Sequence, residues 1–390
     1  MQKRFTPDAG GVFPEWEEKT IEEACNVNVS NGTPGDKFIY IELGDVNKYG
    51  LLKRKNLVRK NEAPVSAKRV AKIDDVFFRS VRPGNKGHFH YTNEMSEQVV
   101  MLSAFFQLSM KDGDNEFLYQ TLNTQYFTKQ VLTRCTGTTY PTISLNEFIK
   151  LKIKIPKSME EQRKIAAALA AYDEMIAVKT AKLETWQECK KRMVKDIFGR
   201  TKRFRDDDGN EFPEWEEKML GEVCKYGNTH KTGKNYINVE NMNKDFSGVT
   251  FLEPSLERKG IVYDVGDVLM SNIRPYLRKA WLADRSGICD SDVLVFHLKD
   301  GVDIDSTFLY YTIASSELVK WAMIGARGTK MPRCDKQHLM EKRIFLPCKE
   351  EQQKIGSFLA EIDKEIEIQK EFIKTYAEGK KRMMRELMGR

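Results

Sequence analysis

The sequence has no apolar run long enough to cross a bilayer. The longest, residues 165–172, falls far short of the roughly 20 residues that a transmembrane helix requires. Its opening, Met1-Gln2-Lys3-Arg4, lacks the apolar stretch of a secretory signal, so the expected compartment is the cytoplasm and no membrane contact is expected. Cysteine is scarce: the seven residues are odd in number and include no C-x-x-C pair. That argues against a disulfide framework and a structural zinc site, and they read as free thiols, mostly buried. The signatures of catalysis are missing as well. There is no G-x-x-x-x-G-K-[ST] loop, no G-x-G-x-x-G, no H-E-x-x-H, no nucleophile elbow, no Asn-Pro-Pro-Tyr type of tetrapeptide and no nuclease carboxylate cluster. The five histidines are scattered at 88, 90, 230, 297 and 338, and only His88 and His90 are close. Without a neighbouring Cys, a solvated strand or loop explains that pair better than a metal site. The chain is expected to hold no metal and no cofactor, and to carry no chemistry of its own.

What is present is repetition. Phe13-Pro14-Glu15-Trp16-Glu17-Glu18-Lys19 returns unchanged as Phe212-Pro213-Glu214-Trp215-Glu216-Glu217-Lys218. Lys3-Arg4-Phe5 matches Lys202-Arg203-Phe204, and Asp75-Val76 leads to Arg82-Pro83 as Asp267-Val268 leads to Arg274-Pro275. Gly137-Thr138 and Pro141 match Gly328-Thr329 and Pro332, and Glu160-Glu161-Gln162 matches Glu350-Glu351-Gln352. Between these anchors the copies barely agree. One structural unit is therefore made twice, with a shared scaffold and different decoration. The 390 residues, 41% hydrophobic, suffice for buried cores, and a net charge of +7 permits binding to a phosphate backbone without demanding it.

Each copy ends in a heptad-patterned segment. The first places Ile165, Leu169, Tyr172, Ile176, Leu183, Trp186, Met193 and Ile197 on one seam, with Lys179 and Lys190 in the remaining slots. The second places Ile355, Leu359, Ile362, Ile366, Ile373, Tyr376, Met383 and Leu387 in the same phase, with Gln369 and Lys380 in the polar slots. Such patterning predicts two long helices whose narrow apolar stripes pair within the chain as a coiled coil. Related by a pseudo-twofold axis, the helices would run antiparallel and carry the globular parts to opposite ends. Ser158-x-x-Glu161 has the form of a capping box, and Gly199 and Gly389 are placed to stop the helices. The stripe widens at Ala166, Ala168, Val194 and Phe198, which suggests outer faces that recruit partner helices.

The expected division is 1–157 and 199–348 for two mixed α+β domains, with helices at 158–198 and 349–390. Within the domains, residues 38–41, 76–78, 99–102, 153–155 and 292–296 read as strands, and 116–132 and 306–324 as helices. Trp16 and Trp215 read as buried anchors rather than stacking platforms. Candidate DNA contacts follow the strands at Val76 and Val268: Arg79, Ser80, Arg82, Asn85, Lys86 and His88 in the first copy, and Ser271, Asn272, Arg274, Tyr276, Arg278 and Lys279 in the second. Arg and Asn make bidentate contacts to guanine and adenine edges, and Lys and Ser hold phosphates. Thr138, Thr139 and Tyr140, with Thr329 and Lys330, form second candidate loops suited to a phosphate. Solvated surface charge and tight turns remain alternative readings for each of these residues, and Arg82 and Arg274 could be structural.

The twin Phe-Pro-x-Trp-Glu openings, the Leu220-Gly221-Glu222-Val223 run in copy two, and a long helix that begins Glu-Glu-Gln-x-Lys-Ile after a proline in each copy resemble the specificity subunit of type I restriction-modification systems. The resemblance spans essentially the whole chain; copy one departs at Ile21-Glu22-Glu23-Ala24, and copy two at Cys348, where copy one has a serine-capped start. It implies two target recognition domains, each reading one half of a split, asymmetric duplex DNA sequence, with two long antiparallel helices setting the unread spacer. It also implies docking of two methyltransferase subunits and of restriction/translocase subunits, on which S-adenosylmethionine, ATP and Mg are expected.

Overall fold

A computed structural model describes residues 4–251 and 256–388, so Lys3 and Gly389 lie outside the described residues. The chain divides into two compact units, one made of Met1–Lys182 with Gln369–Arg390 and the other of Leu183–Ile368. The first unit runs β1 (Glu17–Thr20), α1 (Ile21–Ala24), β2 (Cys25–Val27), β3 (Lys37–Ile41), β4 (Asn56–Arg59), β5 (Ala67–Val70), β6 (Val76–Arg79), β7 (Phe89–His90), β8 (Val99–Leu102) and β9 (Phe105–Met110). It continues through α2 (Asn115–Leu122), α3 (Gln125–Thr133), α4 (Leu145–Phe148), β10 (Lys152–Ile155) and the long α5 (Met159–Phe198). The second unit repeats the plan with β11 (Glu216–Met219), α6 (Leu220–Val223), β12 (Cys224–Tyr226), β13 (His230–Gly233), β14 (Arg258–Tyr263), β15 (Val268–Ser271), β16 (Ala280–Leu282), β17 (Gly287–Cys289) and β18 (Val293–Leu298). Then come α7 (Ser306–Ile313), α8 (Ser316–Ile324), α9 (Lys336–Met340), β19 (Arg343–Leu346) and the long α10 (Lys349–Met388).

In unit 1 one sheet has the order β2-β9-β6-β7 and a second β4-β3-β8-β5; in unit 2 the corresponding orders are β12-β18-β15-β16 and β13-β14-β17. The central strands are apolar on both faces because both faces are covered. Val76 and Phe78 of β6 point into the core shared with α2 and α3, while Phe77 points into the core shared with Ile39, Val99 and Met101. Val268 and Met270 of β15 likewise face one core and Leu269 the other. The period of two thus builds a helix layer, a sheet and a second sheet from one strand.

Each long segment read as a single helix at 116–132 and 306–324 is instead two helices. Thr124 Oγ1 accepts the Phe127 N–H and Ser315 Oγ accepts the Leu318 N–H, so each hydroxyl caps a new helix start inside an unbroken apolar pattern. Trp16 packs edge-on against Phe117 at 6.0 Å, and Trp215 against Phe308 at 6.2 Å.

The start of each long helix is a repeated device. In β1–β10 the entering strand pairs antiparallel with the leaving strand, and β11–β19 does the same. Glu161, with a fully buried side chain, then takes two bonds from Arg4, Nε to Oε1 and Nη2 to Oε2, both 2.9 Å. Arg203 Nη2 reaches buried Glu351 at 2.9 Å, and Trp215 Nε1 donates to the same carboxylate at 2.9 Å. The next residue is also committed. Gln162 donates to Pro156 O and accepts from Asp114 N, and Gln352 donates to Pro347 O and accepts from Asp305 N. The expected capping box is therefore half made: Ser158 Oγ accepts the Glu161 N–H, but the Glu161 side chain turns inward to arginine. At the far end of α5 the left-handed turn falls on Arg200, φ 57°, not on Gly199.

Within unit 1 the first half of α5 lies antiparallel to the second half of α10. Ile165 and Leu169 share a core with Met384 and Leu387, Lys380 Nζ sits 2.6 Å from both oxygens of Asp173, and Lys179 lies over the Phe372 ring. A Cβ on Gly379 would come 2.8 Å from the Tyr172 ring, so the glycine permits that crossing. Unit 2 repeats the pairing, with Lys190 at 2.6 Å from Asp363 and Ile197 in the core of Ile355, Leu359, Ile362 and Ile366. Leu183, Trp186 and Met193 flank the unit 2 core and Met383 the unit 1 core, and Ile176 and Ile373 are buried. Tyr376 is half-buried. The acids are tied to their own domains, Asp173 by Gln120 and Asp363 by Tyr311. Ala166, Ala168, Val194 and Phe198, expected on outer faces, pack on the domain cores instead.

Removing one partner of a buried ion pair costs about 3–5 kcal/mol. Because Arg4 keeps some solvent access, Arg4→Ala should lower stability by about 2–3 kcal/mol, measured by thermal or urea unfolding, with Arg4→Lys recovering part. A second expectation concerns His90, which is not solvated as its sequence context suggested: Nδ1 lies 2.7 Å from Glu116 and Nε2 2.8 Å from Asp74, with the side chain 6% exposed. Burial opposes its charge, but bonds and attraction from Glu116 and Asp74 outweigh this and raise its pKa. A raised folded-state value stabilises the domain below the unfolded value near 6.5, and that gain is lost as pH rises through the folded value. The difference in melting temperature between wild type and His90→Gln should shrink as pH is taken upward from about 5.5 through that window.

Candidate nucleic-acid interface

The two candidate segments of each copy, distant in sequence, meet in space. After β6 the chain reaches Arg82 in the left-handed region, φ 49°, followed by a 3-10 turn at Pro83–Asn85; after β15, Arg274 has φ 51° and is followed by Pro275–Leu277. A residue before proline is kept out of the right-handed helical region, and a left-handed arginine costs of order 1 kcal/mol or more, so surrounding bonds must hold it. They do. Arg82 N donates to Pro141 O and Arg274 N to Pro332 O, both at 2.7 Å, and Val81 bridges Thr142 as Ile273 bridges Arg333. The 137–141 and 328–332 loops are closed by reciprocal main-chain bonds between Thr136 and Thr142 and between Arg327 and Arg333, all 2.9 Å. Gly137 has φ 87°, and a Cβ there would lie 3.1 Å from Tyr140 O, so the turn requires glycine.

Side chains at this corner fall into two groups. Ser80, His88, Ser271 and Asn272 are buried and do not reach the surface, contrary to their candidacy as contacts. Ser80 Oγ donates to Ala104 O, and Ser271 Oγ to Ile273 O. His88 stacks on Phe78 at 4.2 Å and accepts the Arg79 N–H, and burial, with Lys86 and Arg79 adding to it, pushes its pKa well down. Arg79 donates to Val81 O and Leu43 O, and Lys279 Nζ to Val239 O; both are internal braces. Lys86 donates to Asn123 O and Thr128 Oγ1 at the α2–α3 junction, and burial lowers its pKa to about 8. Arg278 makes the matching tie to Ser316.

The remaining candidates are presented outward. Asn85, Thr138, Thr139, Thr329 and Lys330 are exposed, as are Tyr140 and Tyr276. Arg82 is half-buried; its guanidinium donates to Thr139 O and lies 4.0 Å over the Tyr140 ring, which fixes its direction. Arg274 Nε and Asn272 Oδ1 are buried without a hydrogen-bond partner. Met331, within the second candidate loop, is exposed at its tip, whereas sequence reasoning missed several neighbours: Leu132 and Ile324, both exposed, and Arg327 and Arg333, which pair with Asp335 and Asp292. The matching positions of the two hairpins were the available signal for the arginines. The seven cysteines are free thiols; Cys25, Cys224, Cys289 and Cys334 are buried, and burial raises Cys25 and Cys224 to about 12. Among the described residues no His, Cys, Asp and Glu group could hold a metal, and no helix is long and apolar enough to cross a membrane.

The family described as type I restriction modification DNA specificity domain matches residues 14–185 and again 213–375. The MjaVIII specificity subunit of Methanocaldococcus jannaschii is 26% identical over 317 residues, covering 75% of this chain and 74% of that one. The EcoDI specificity subunit of Escherichia coli is 24% identical over 276 residues, 62% of this chain and 61% of its own. In fold, the chain is similar to the S subunit of a type I restriction-modification system from M. genitalium, with a TM-score of 0.60, 15% identity and coverage of 98% and 99%. With the family matched in both copies across most of the sequence, the chain belongs to the type I restriction-modification specificity subunits, noncatalytic proteins that recognise DNA through two domains.

Proposed function

We propose that each unit reads one half of a split, asymmetric target in double-stranded DNA with its Arg-Pro corner and the hairpin beside it. The observation that carries this reading is the convergence of the same two segments, by the same main-chain bonds, in both units, while the outward side chains differ. Unit 1 offers Arg82, Thr138, Thr139 and Tyr140; unit 2 offers Arg274, Tyr276, Thr329 and Lys330. Orphaned polar atoms at the second corner, Asn272 Oδ1 and Arg274 Nε, are buried groups that an ordered water would satisfy. Arginine and asparagine supply base-edge contacts, while hydroxyls, lysine and main-chain amides hold phosphates.

The paired long helices serve as a spacer that fixes which two half-sites can be engaged together. Tethering two weak readers makes the second contact intramolecular, so spacing enters the recognition code. Exposed Met175 and Val178 on α5, and Ile368 and Phe372 on α10, suit docking of methyltransferase subunits. Two such subunits, with restriction/translocase subunits in a full complex, bring the S-adenosylmethionine, ATP and Mg chemistry that this chain does not supply.

The test uses the assembled complex and duplexes mutated in one half-site at a time. Arg82→Ala with Tyr140→Ala should weaken binding by about 10–100-fold, as for loss of one good base contact of about 1–3 kcal/mol, and should relax discrimination in a single half. Arg274→Ala with Lys330→Ala should do so in the other half. Loss of discrimination in both halves from substitutions in one unit would overturn the two-reader reading.

A further inference from the structure

Unit 1 contains a cleft of about 880 Å³ that the recognition corner does not use. Its walls come from the turn at Lys48 and Tyr49, the start of α3, Asp173 and Ile176 on α5, and the last turns of α10. Six cations line it: Lys48, Lys86, Lys129, Lys380, Lys381 and Arg385. The one carboxylate, Asp173, is already held by Lys380 through both oxygens at 2.6 Å. Lys129, Lys381 and Arg385 are exposed and, among the described residues, make no ion pair. The N-terminus of α3, with Thr124, Gln125 and Tyr126 in the lining, adds positive potential.

The lining is not only basic. Tyr49, Tyr119, Tyr126, Ile176 and Met384 supply an apolar floor. Bare phosphates have no use for such a floor. Single-stranded bases would need open ring faces, yet Lys48 lies 4.9 Å over Tyr49, Lys380 lies 5.8 Å over Tyr119, and His90 stacks on Tyr119 at 5.7 Å. A peptide that alternates carboxylates with apolar side chains satisfies both the cations and the floor.

At the aligned positions the second unit keeps basic residues, Arg278 for Lys86 and Lys190 and Lys191 for Lys380 and Lys381, but it differs on the helix that follows the hydroxyl cap. The Leu118-Tyr119 and Leu309-Tyr310 alignment puts Glu317 where unit 1 has Tyr126, and Lys320 where it has Lys129. Glu317 lies 3.7 Å from Lys320 and so answers that charge locally. We propose that the basic, tyrosine-floored cleft of unit 1 docks an acidic, partly apolar peptide segment of a partner subunit, a contact that Glu317, in place of Tyr126, weakens at the corresponding position of unit 2. This rests on the reading of the chain as a platform for methyltransferase subunits.

The experiment titrates the full chain with its methyltransferase subunit at fixed salt and, in parallel, the assembled complex with duplex DNA. Lys129→Glu with Lys381→Glu should weaken methyltransferase association at least about 10-fold, the scale of losing one charge-assisted contact. The unit 2 counterparts, Lys320→Glu with Lys191→Glu, should change it less than about two-fold, with unaltered melting curves showing that both variants are folded. Unchanged association of the unit 1 variant overturns the docking proposal alone. Normal assembly with reduced duplex affinity also overturns it and assigns the cleft to nucleic acid. Failure of the unaltered chain to bind any methyltransferase subunit overturns the platform reading itself, and the docking proposal with it.

Discussion

A buried carboxylate at the mouth of each long helix is the constraint on which the architecture depends. Glu161 and Glu351 are wholly withdrawn from water, which is tolerable only because Arg4 and Arg203 meet them with charged hydrogen bonds. The adjacent Gln162 and Gln352 then bind the end of the leaving strand and the cap of α2 or α7. The helix therefore leaves its domain in a direction set by the domain's own core. Any other direction would strand a charge. The Asp173–Lys380 and Asp363–Lys190 pairs fix a second point along each helix and connect it to Gln120 and Tyr311.

Repetition made this scaffold legible before any coordinates. The residues identical in two otherwise different copies, among them the tryptophan, the Glu-Glu-Gln run and the Arg-Pro pair, are the ones that hold chain to chain. Strands at Val76 and Val293 were legible because both faces are covered, which leaves a continuous apolar run. The division of residues 116–132 was not, since the apolar periodicity runs through Thr124 and only the hydroxyl cap breaks it. The candidate contacts show a sharper limit. Composition and spacing located the right corner, but whether a polar side chain faces water depends on partners far along the chain. Ser80 is spent on Ala104, Lys86 on Asn123 and Lys279 on Val239. No local pattern carries that information.

At the corner itself, position and identity are separated. Main-chain bonds place the hairpin beside the left-handed arginine in both units, so the loop's course owes little to the side chains at its tip. Tyr140 can stand in one unit and Met331 in the other without disturbing a core residue. Recognition can therefore diverge between copies while the frame stays constant, which is the pattern the two halves of the sequence display.

The composition of the units has a consequence for biosynthesis. Unit 2 is one uninterrupted stretch, whereas unit 1 takes its last helical turns from a segment translated after all of unit 2. Met384 and Leu387 complete the core around Ile165 and Leu169, so on a ribosome-bound chain that part of the core stays uncovered until they emerge. The first domain to be made is thus the last to receive its full core, because Met384 and Leu387 are among the final residues to join it.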